Sequence, residues 1–373
     1  MLDRVLARAN LWALDNVERH WVDYVVSNTM TDLNRWLNGF LWTYDLKALV
    51  EEVRDEAPGV KTFVLRPNQH WRGFEPGQHV ELMLPVDDGE PLRRHYSLSA
   101  VDKGRFSITV KRMDGGRGSS WLHEHLRAGM TLSMGHPQGR FCHQGQAKVL
   151  YLCAGSGITP CHSMITALLG QPAAEQADIQ LIAQFRDPSD VIFLDTLQQW
   201  AQDGVKVTTA LSSLAPQDVC LPDLAPRLDA TQLDKLCPDL LERDVYLCGP
   251  TGFMTQMIGH LQALNVDLTR VHTERFVGVE PTPAPAGSFV AEGAEVFFQH
   301  LNTRITLTAD DQDKTLLQVA RDHGVNLESG CCQGMCGTCK LTVHDGEVSG
   351  NVLGRAVYLC TSYPASRTLT LDA

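Results

Sequence analysis

The chain has 373 residues, 43% hydrophobic and 20% charged, and its 32 Lys and Arg against 44 Asp and Glu give a net charge of −12. That length suits two or three domains with cores of their own, and the composition excludes a disordered chain. The acidic balance argues against nucleic acid as a partner, because phosphate binding calls for a concentrated basic surface.

Residues 1–44 hold four of the seven tryptophans (Trp12, Trp21, Trp36, Trp42). Leu33, Trp36, Leu37, Phe40, Leu41 and Tyr44 recur at helical spacing, which predicts a short helical segment with one apolar stripe. Such a stripe suits a peripheral membrane contact or packing on the next domain; the lack of excess Lys and Arg favours packing. The start has no apolar core of a secretory signal, and the longest uncharged stretch, Val149 to Ala174, is broken by Gly155, Gly157 and Pro160, so a cytoplasmic address is expected.

Residues 45–145 carry short alternating runs such as Lys61-Thr-Phe-Val-Leu65 and Phe106-Ser-Ile-Thr-Val110, punctuated by Pro58-Gly59, Pro76-Gly77 and Gly115-Gly116. They predict an antiparallel β-barrel. Residues 146–278 change to apolar runs (Val149–Cys153, Ile179–Ala183, Val205–Thr209, Val245–Cys248) separated by helix-length stretches, the pattern of a doubly wound α/β parallel sheet. Residues 279–288 form a Pro-rich linker, and 289–373 a third domain.

Several glycine-bearing motifs punctuate these domains. Arg94-His-Tyr96-Ser97 follows Gly77-Gln78-His79; residues two apart share a strand face, so Arg94 and Tyr96 project together. Gly116-Arg-Gly118-Ser119-Ser120-Trp-Leu122 and Gly135-His-Pro137-Gln-Gly139-Arg-Phe141 are two more glycine-bearing stretches, helix capping being the plain role for the serines. Cys153-Ala-Gly155-Ser-Gly157-Ile-Thr159-Pro160 follows an apolar strand and opens a helix, a phosphate-ready N-terminus although not G-x-G-x-x-G. Arg186 ends the second strand of that domain, Cys248-Gly249-Pro250 ends a later one, and Glu274-Arg275-Phe276 closes it.

Of eleven cysteines, six are scattered among apolar neighbours as core filler and five crowd into the last 43 residues. Cys331-x4-Cys336-x2-Cys339 with Cys360 beyond has the spacing of a plant-type [2Fe–2S] site, with Gly330, Gly334 and Gly337 letting the backbone wrap the cluster. A four-cysteine zinc site is the alternative, but such modules show two short paired spacings. Cys332 is read as a bystander.

Glu328-Ser-Gly-Cys-Cys-Gln-Gly-Met-Cys-Gly-Thr-Cys-Lys340 resembles the cluster loop of plant-type ferredoxins, and the upstream motifs resemble the signatures of the ferredoxin–NADP reductase superfamily. The resemblance covers residues 45–373 and implies an FAD-binding barrel, an NAD(P)-binding domain and an α+β, β-grasp-like ferredoxin domain. It implies that Arg94 pairs with a cofactor phosphate, that Tyr96 packs on the isoalloxazine and that Ser97 contacts it near N5. Gly118, Ser119 and Ser120 would receive the pyrophosphate, and the loop ending at Phe141, here with His136 inserted, points to FAD over FMN. Gly155, Gly157, Thr159, Gly249 and Pro250 would receive the nicotinamide nucleotide, Arg186 its adenosine half, with Cys248 beside the nicotinamide and Phe276 at the flavin edge. Cys331, Cys336, Cys339 and Cys360 would hold the cluster. The implied activity is electron transfer from NAD(P)H through FAD and the cluster to an oxygen-activating partner. A membrane fatty-acyl desaturase is expected first, on the strength of residues 1–44, and a soluble ring-hydroxylating dioxygenase or monooxygenase second. A non-catalytic redox sensor is the reading from another class.

Overall fold

A computed structural model describes residues 12, 16–18, 21, 39–41, 43, 45–86, 91–102, 104–172, 177–213, 221, 223–276, 291–329, 334 and 337–372. Three sheets follow one another along the chain. The first contains β1 (Lys47–Ala57), β2 (Val60–Pro67), β3 (His79–Leu84), β4 (Leu92–Ser97), β5 (Ser99–Asp102), β6 (Arg105–Lys111) and β7 (Thr131–Met134), in the order β4-β3-β7-β1-β2-β6-β5. All its neighbours are antiparallel. Period-2 alternation sends Phe63, Leu65, Val80, Leu82, Phe106 and Ile108 into one core. Helix α1 (Arg117–His125) adds Leu122 to it.

The second sheet contains β8 (Lys148–Ala154), β9 (Asp178–Phe185), β10 (Lys206–Leu211), β11 (Leu224–Ala225), β12 (Asp244–Cys248) and β13 (Val271–Glu274), with α2 (Ile158–Leu169), α3 (Leu194–Gln202), α4 (Ala230–Leu236) and α5 (Thr251–Ala263) as crossovers. It is all parallel, in the order β11-β10-β9-β8-β12-β13. Both faces are covered, so β8 is apolar throughout: Val149, Tyr151 and Cys153 enter one core, and Leu150, Leu152 and Ala154 the other. Successive strands step outward from β8 on one side through β9 and β10 to β11, and the chain then crosses to β12 on the other. Ligands of such sheets bind at the carboxyl ends of the strands flanking this reversal.

The third sheet contains β14 (Glu295–Phe298), β15 (Thr303–Thr306), β16 (Lys340–Asp345), β17 (Val348–Leu353), β18 (Ala356–Pro364) and β19 (Thr368–Leu371), in the order β15-β14-β19-β16-β18-β17. β14 and β19 are parallel; the other pairs are antiparallel. Helix α6 (Leu316–Asp322) opens on a Thr315/Gln318 capping box and buries Leu316, Leu317, Val319 and Ala320 against the sheet.

Most of residues 1–44 and the Pro-rich linker lie outside the described residues. Phe40 and Leu41 are buried, their carbonyls accepting from Asn68 Nδ2 at 3.1 Å and Gln69 Nε2 at 2.5 Å, so this part of the segment packs on the first domain. Trp12 and Trp21 are exposed. Among the described residues no helix is long and apolar enough to cross a membrane.

Candidate flavin, nucleotide and cluster sites

On β4, Arg94 pairs with Leu82, Tyr96 with Val80 and Ser97 with His79 across the ladder. Arg94 is exposed, and a Cβ on Gly118 would stand 3.0 Å from its Cγ, so the start of α1 lies close against the arginine stem. Its Nη1 donates to the Arg93 carbonyl at 2.8 Å, and an arginine beside a helix N-terminus fits a phosphate. Burial pushes the Tyr96 phenol up, which keeps its ring neutral. Ser97 Oγ is buried with no hydrogen-bond partner among the described residues. A hydroxyl left so costs roughly 1–3 kcal/mol, which fits a donor held for a bound ring. Ser119 Oγ accepts from Met113 N at 3.1 Å and donates to the Gly116 carbonyl at 3.2 Å, which shapes the turn into α1.

The 135–141 loop is stitched to β3 by reciprocal bonds of 2.9 Å between His79 and Gln138. Gly139 has φ +107, and a Cβ there would meet His79 Nδ1 at 2.9 Å. Phe141 is buried edge-on to Tyr246 of β12, ring centroids 5.4 Å apart. Its ring therefore joins the first two domains.

In the second domain the two nucleotide motifs occupy the reversal point, one after β8 and one after β12. A Cβ on Gly157 would lie 2.3 Å from the Cys248 carbonyl oxygen and 2.7 Å from Gly249 Cα, so the loops touch backbone to backbone. Thr159 Oγ1 donates to the Ser156 carbonyl at 2.9 Å and locks the turn. Pro250 stands at the start of α5. Cys248 pairs with Cys153 on one side and Glu274 on the other. Desolvation, then the Glu274 charge, hold its thiol well above the usual range, so it is a neutral thiol. Cys161 lies against Cys153, so three cysteines that look scattered in sequence meet at one place. Arg186 is exposed, with its Nε 3.2 Å from both Asp187 Oδ2 and Asp190 Oδ2.

A pair that sequence reading missed joins these halves. His79 Nδ1 lies 3.2 Å from Glu274 Oε1, both side chains buried, and His79 meets His95 edge-on at 5.1 Å. From Cys248 the contacts therefore run to Glu274, to His79 and, across the ladder, to Ser97. On an alternating strand His79 reads as an ordinary polar residue; only the fold sets it against a carboxylate 195 positions away. Phe276 follows, partly exposed at 39%.

In the third domain Cys339 and Cys360 are buried, and the Gly334 amide donates to Cys360 Sγ at 3.1 Å, the kind of bond that supports a ligating sulfur. Cys331 and Cys336 lie outside the described residues. The cysteine set and this amide fit a [2Fe–2S] cluster.

Comparison with known proteins agrees domain by domain. The oxidoreductase FAD-binding domain matches residues 48–143, the oxidoreductase NAD-binding domain 151–258, and the 2Fe-2S iron-sulfur cluster binding domain 298–365. The stachydrine N-demethylase reductase subunit of Rhizobium meliloti is 32% identical over 79% of this chain and 84% of its own. The glycine betaine monooxygenase reductase subunit of Pseudomonas aeruginosa is 32% identical over 84% and 87%. Among solved structures, full-length CYP116B46 from Tepidiphilus thermophilus is similar with a TM-score of 0.64 and 26% identity over 88% of this chain, which spans 42% of that longer protein. With three domain matches in sequence and relatives aligned along most of their length, this chain belongs to the FAD- and [2Fe–2S]-dependent NAD(P)H reductase components of oxygenase systems.

Proposed function

We propose that the chain serves a terminal monooxygenase or dioxygenase as its electron donor, in place of the membrane fatty-acyl desaturase expected from residues 1–44. The desaturase finds no support: the segment that would argue for it lies almost wholly outside the described residues, and the relatives are reductase subunits of demethylase and monooxygenase systems. The observation that carries the redox reading is the contact route from Cys248 through Glu274 and His79 to Ser97, which sets nicotinamide-side and flavin-side residues in one locality.

Bound there, FAD would take an electron pair as hydride from NAD(P)H and release electrons singly to the cluster, and that chemistry is the cofactor's own. The chain supplies placement. Arg94 and the α1 N-terminus hold phosphate, Tyr96 offers an uncharged ring, and Ser97 offers a hydroxyl donor. Cys248 presents a buried, neutral thiol, and the touching 157 and 248 loops leave room for a nicotinamide only beside them. The His79–Glu274 pair can hold a proton between Nδ1 and Oε1 beside Ser97.

The test is NADH-driven reduction of a purified soluble oxygenase component, set against turnover of a membrane desaturase preparation, each with the full chain and with residues 1–38 removed. The proposal expects the soluble component to be reduced by both forms. Turnover of the membrane preparation alone, dependent on the removed residues, would refute it.

A further inference from the structure

The last residues of β13 and the one after it touch two other domains, and no sequence motif marks this. Glu274 reaches His79 of the first domain. Thr273 Oγ1 lies 2.6 Å from Tyr358 OH of the third, both buried. Arg275 donates from Nη1 to Asn351 Oδ1 at 2.9 Å, also in the third domain. Three successive residues of the nucleotide domain thus bind the flavin domain and the ferredoxin domain together.

The Arg275 contact continues inward. Asn351 is buried at a register shift between Gly350 and Val352 of β17, where a bulge turns its side chain off the ladder. Its Nδ2 donates to the Gly334 carbonyl at 3.1 Å, and the Gly334 amide donates to Cys360 Sγ at 3.1 Å. Its own carbonyl accepts from Ser362 Oγ at 3.1 Å, so the residue is held from three sides. Gly334 has φ +69, and a Cβ there would stand 2.6 Å from both Asn351 Nδ2 and Thr361 Oγ1. Only glycine fits this seat. The result is one line of hydrogen bonds from the end of the reductase core to a sulfur expected to bind iron.

We infer that Arg275 and Asn351 are a positioning pair for flavin-to-cluster electron transfer: Arg275 docks the ferredoxin domain, and Asn351 transmits that docking to the cluster loop through Gly334. The inference rests on the reductase reading above. In the step it serves, one electron leaves the NAD(P)H-reduced flavin and reduces the oxidised cluster by one; once the terminal oxygenase component has taken that electron and re-oxidised the cluster, a second passage empties the flavin. Two separable arms follow. The Arg275 arm sets how much of the protein is docked. The Asn351 arm orients the amide on Cys360 Sγ, and hydrogen bonds to cluster sulfurs raise the reduction potential.

The experiment uses the full chain loaded with FAD and cluster, in wild-type, Arg275→Met, Asn351→Ala and Thr273→Val forms. Anaerobic rapid mixing with NADH follows flavin reduction and then cluster reduction, and electron paramagnetic resonance during a redox titration gives the cluster's spectrum and midpoint potential. Arg275→Met is expected to slow the flavin-to-cluster phase about tenfold, the order set by one charge-assisted hydrogen bond, while flavin reduction, which precedes it, keeps its rate. Thr273→Val should slow the same phase less. Asn351→Ala should slow it too and, in addition, lower the potential and shift the resonance spectrum. Wild-type cluster-reduction rates in Arg275→Met would overturn the docking arm. Reduced cluster content with an unchanged potential in Asn351→Ala would mark a merely structural residue and overturn the loop arm. If wild-type protein itself shows no flavin reduction by NADH or NADPH, the reductase reading fails instead.

Discussion

Gly157→Ala tests whether the contact of the two nucleotide loops is a working part. The glycine's φ is not in the left-handed region, so alanine there carries no conformational strain and the effect is one of space alone. Its methyl would lie 2.3 Å from the Cys248 carbonyl oxygen and 2.5 Å from the carbonyl carbon, where ordinary contact begins near 3.4 Å. The obstacle is backbone on a central parallel strand, which cannot rotate aside. The 248–250 loop must withdraw by about 1 Å. Overpacking of this kind costs about 1–3 kcal/mol of stability, and a misplacement on the order of 1 Å can slow a reaction up to about 10²-fold. Single-turnover flavin reduction at increasing NADH, with thermal melts, separates the two effects. Gly259→Ala is the control: this exposed glycine inside α5 has nothing within 4 Å of its Cβ position, and alanine should stabilise by roughly 0.5–1 kcal/mol. If Gly157→Ala melts and reacts with NADH as wild type does, the loops do not depend on their contact and the reasoning fails.

Two further outcomes are expected. Because the Asp187 and Asp190 carboxylates both lie 3.2 Å from Arg186 Nε, their negative charge would oppose a 2′-phosphate beside this arginine, so NADH should reduce the flavin at lower concentration than NADPH. Joint Asp187→Asn and Asp190→Asn substitution should narrow that gap; an NADPH preference in the wild type would contradict the assignment. His162 packs at a tilt against Phe193 and Trp200, with centroids 4.2 and 5.3 Å away, and burial pushes its imidazole down to about 4. The unfolded chain takes up this proton below about pH 6.5 and the folded chain only near pH 4, so stability should fall as pH drops through that window, by on the order of 3 kcal/mol at its foot. Urea midpoints across the window check this, and His162→Leu should flatten the slope. An unchanged slope would remove His162 as its cause.

What was legible in the sequence is what local pattern determines. Alternation gave the first sheet, apolar runs gave the second, and glycines beside strand ends gave the 155–159 and 248–250 loops, because a tight turn before a helix has few other solutions. Cysteine spacing likewise announced the cluster, since three ligands on one loop with a fourth beyond is the plant-type [2Fe–2S] pattern. Pairing across long separations was hidden. His79–Glu274, Thr273–Tyr358 and Arg275–Asn351 pair residues whose sequence context names no partner, and each exists only because sheets from different domains abut. Ser119 and Phe141 carry structural contacts that their motifs do not announce: the serine hydroxyl closes its own turn and the phenylalanine ring packs at a domain junction. The membrane expectation rested on a tryptophan stripe, a pattern that packing on a neighbouring domain produces equally well, as buried Phe40 and Leu41 do.

The central claim is that electrons pass from a nicotinamide to FAD and on to the Cys331/Cys336/Cys339/Cys360 cluster within one chain. The most direct measurement is the visible spectrum of the anaerobic, fully loaded protein during titration with NADH, alongside Cys360→Ser. In wild type the flavin and cluster bands should both bleach, and in Cys360→Ser, where a ligand is lost, the flavin bands should still bleach with the cluster bands absent. Flavin bands that stay unreduced in the loaded wild type, or cluster bands that stay oxidised after the flavin has bleached, would contradict the account.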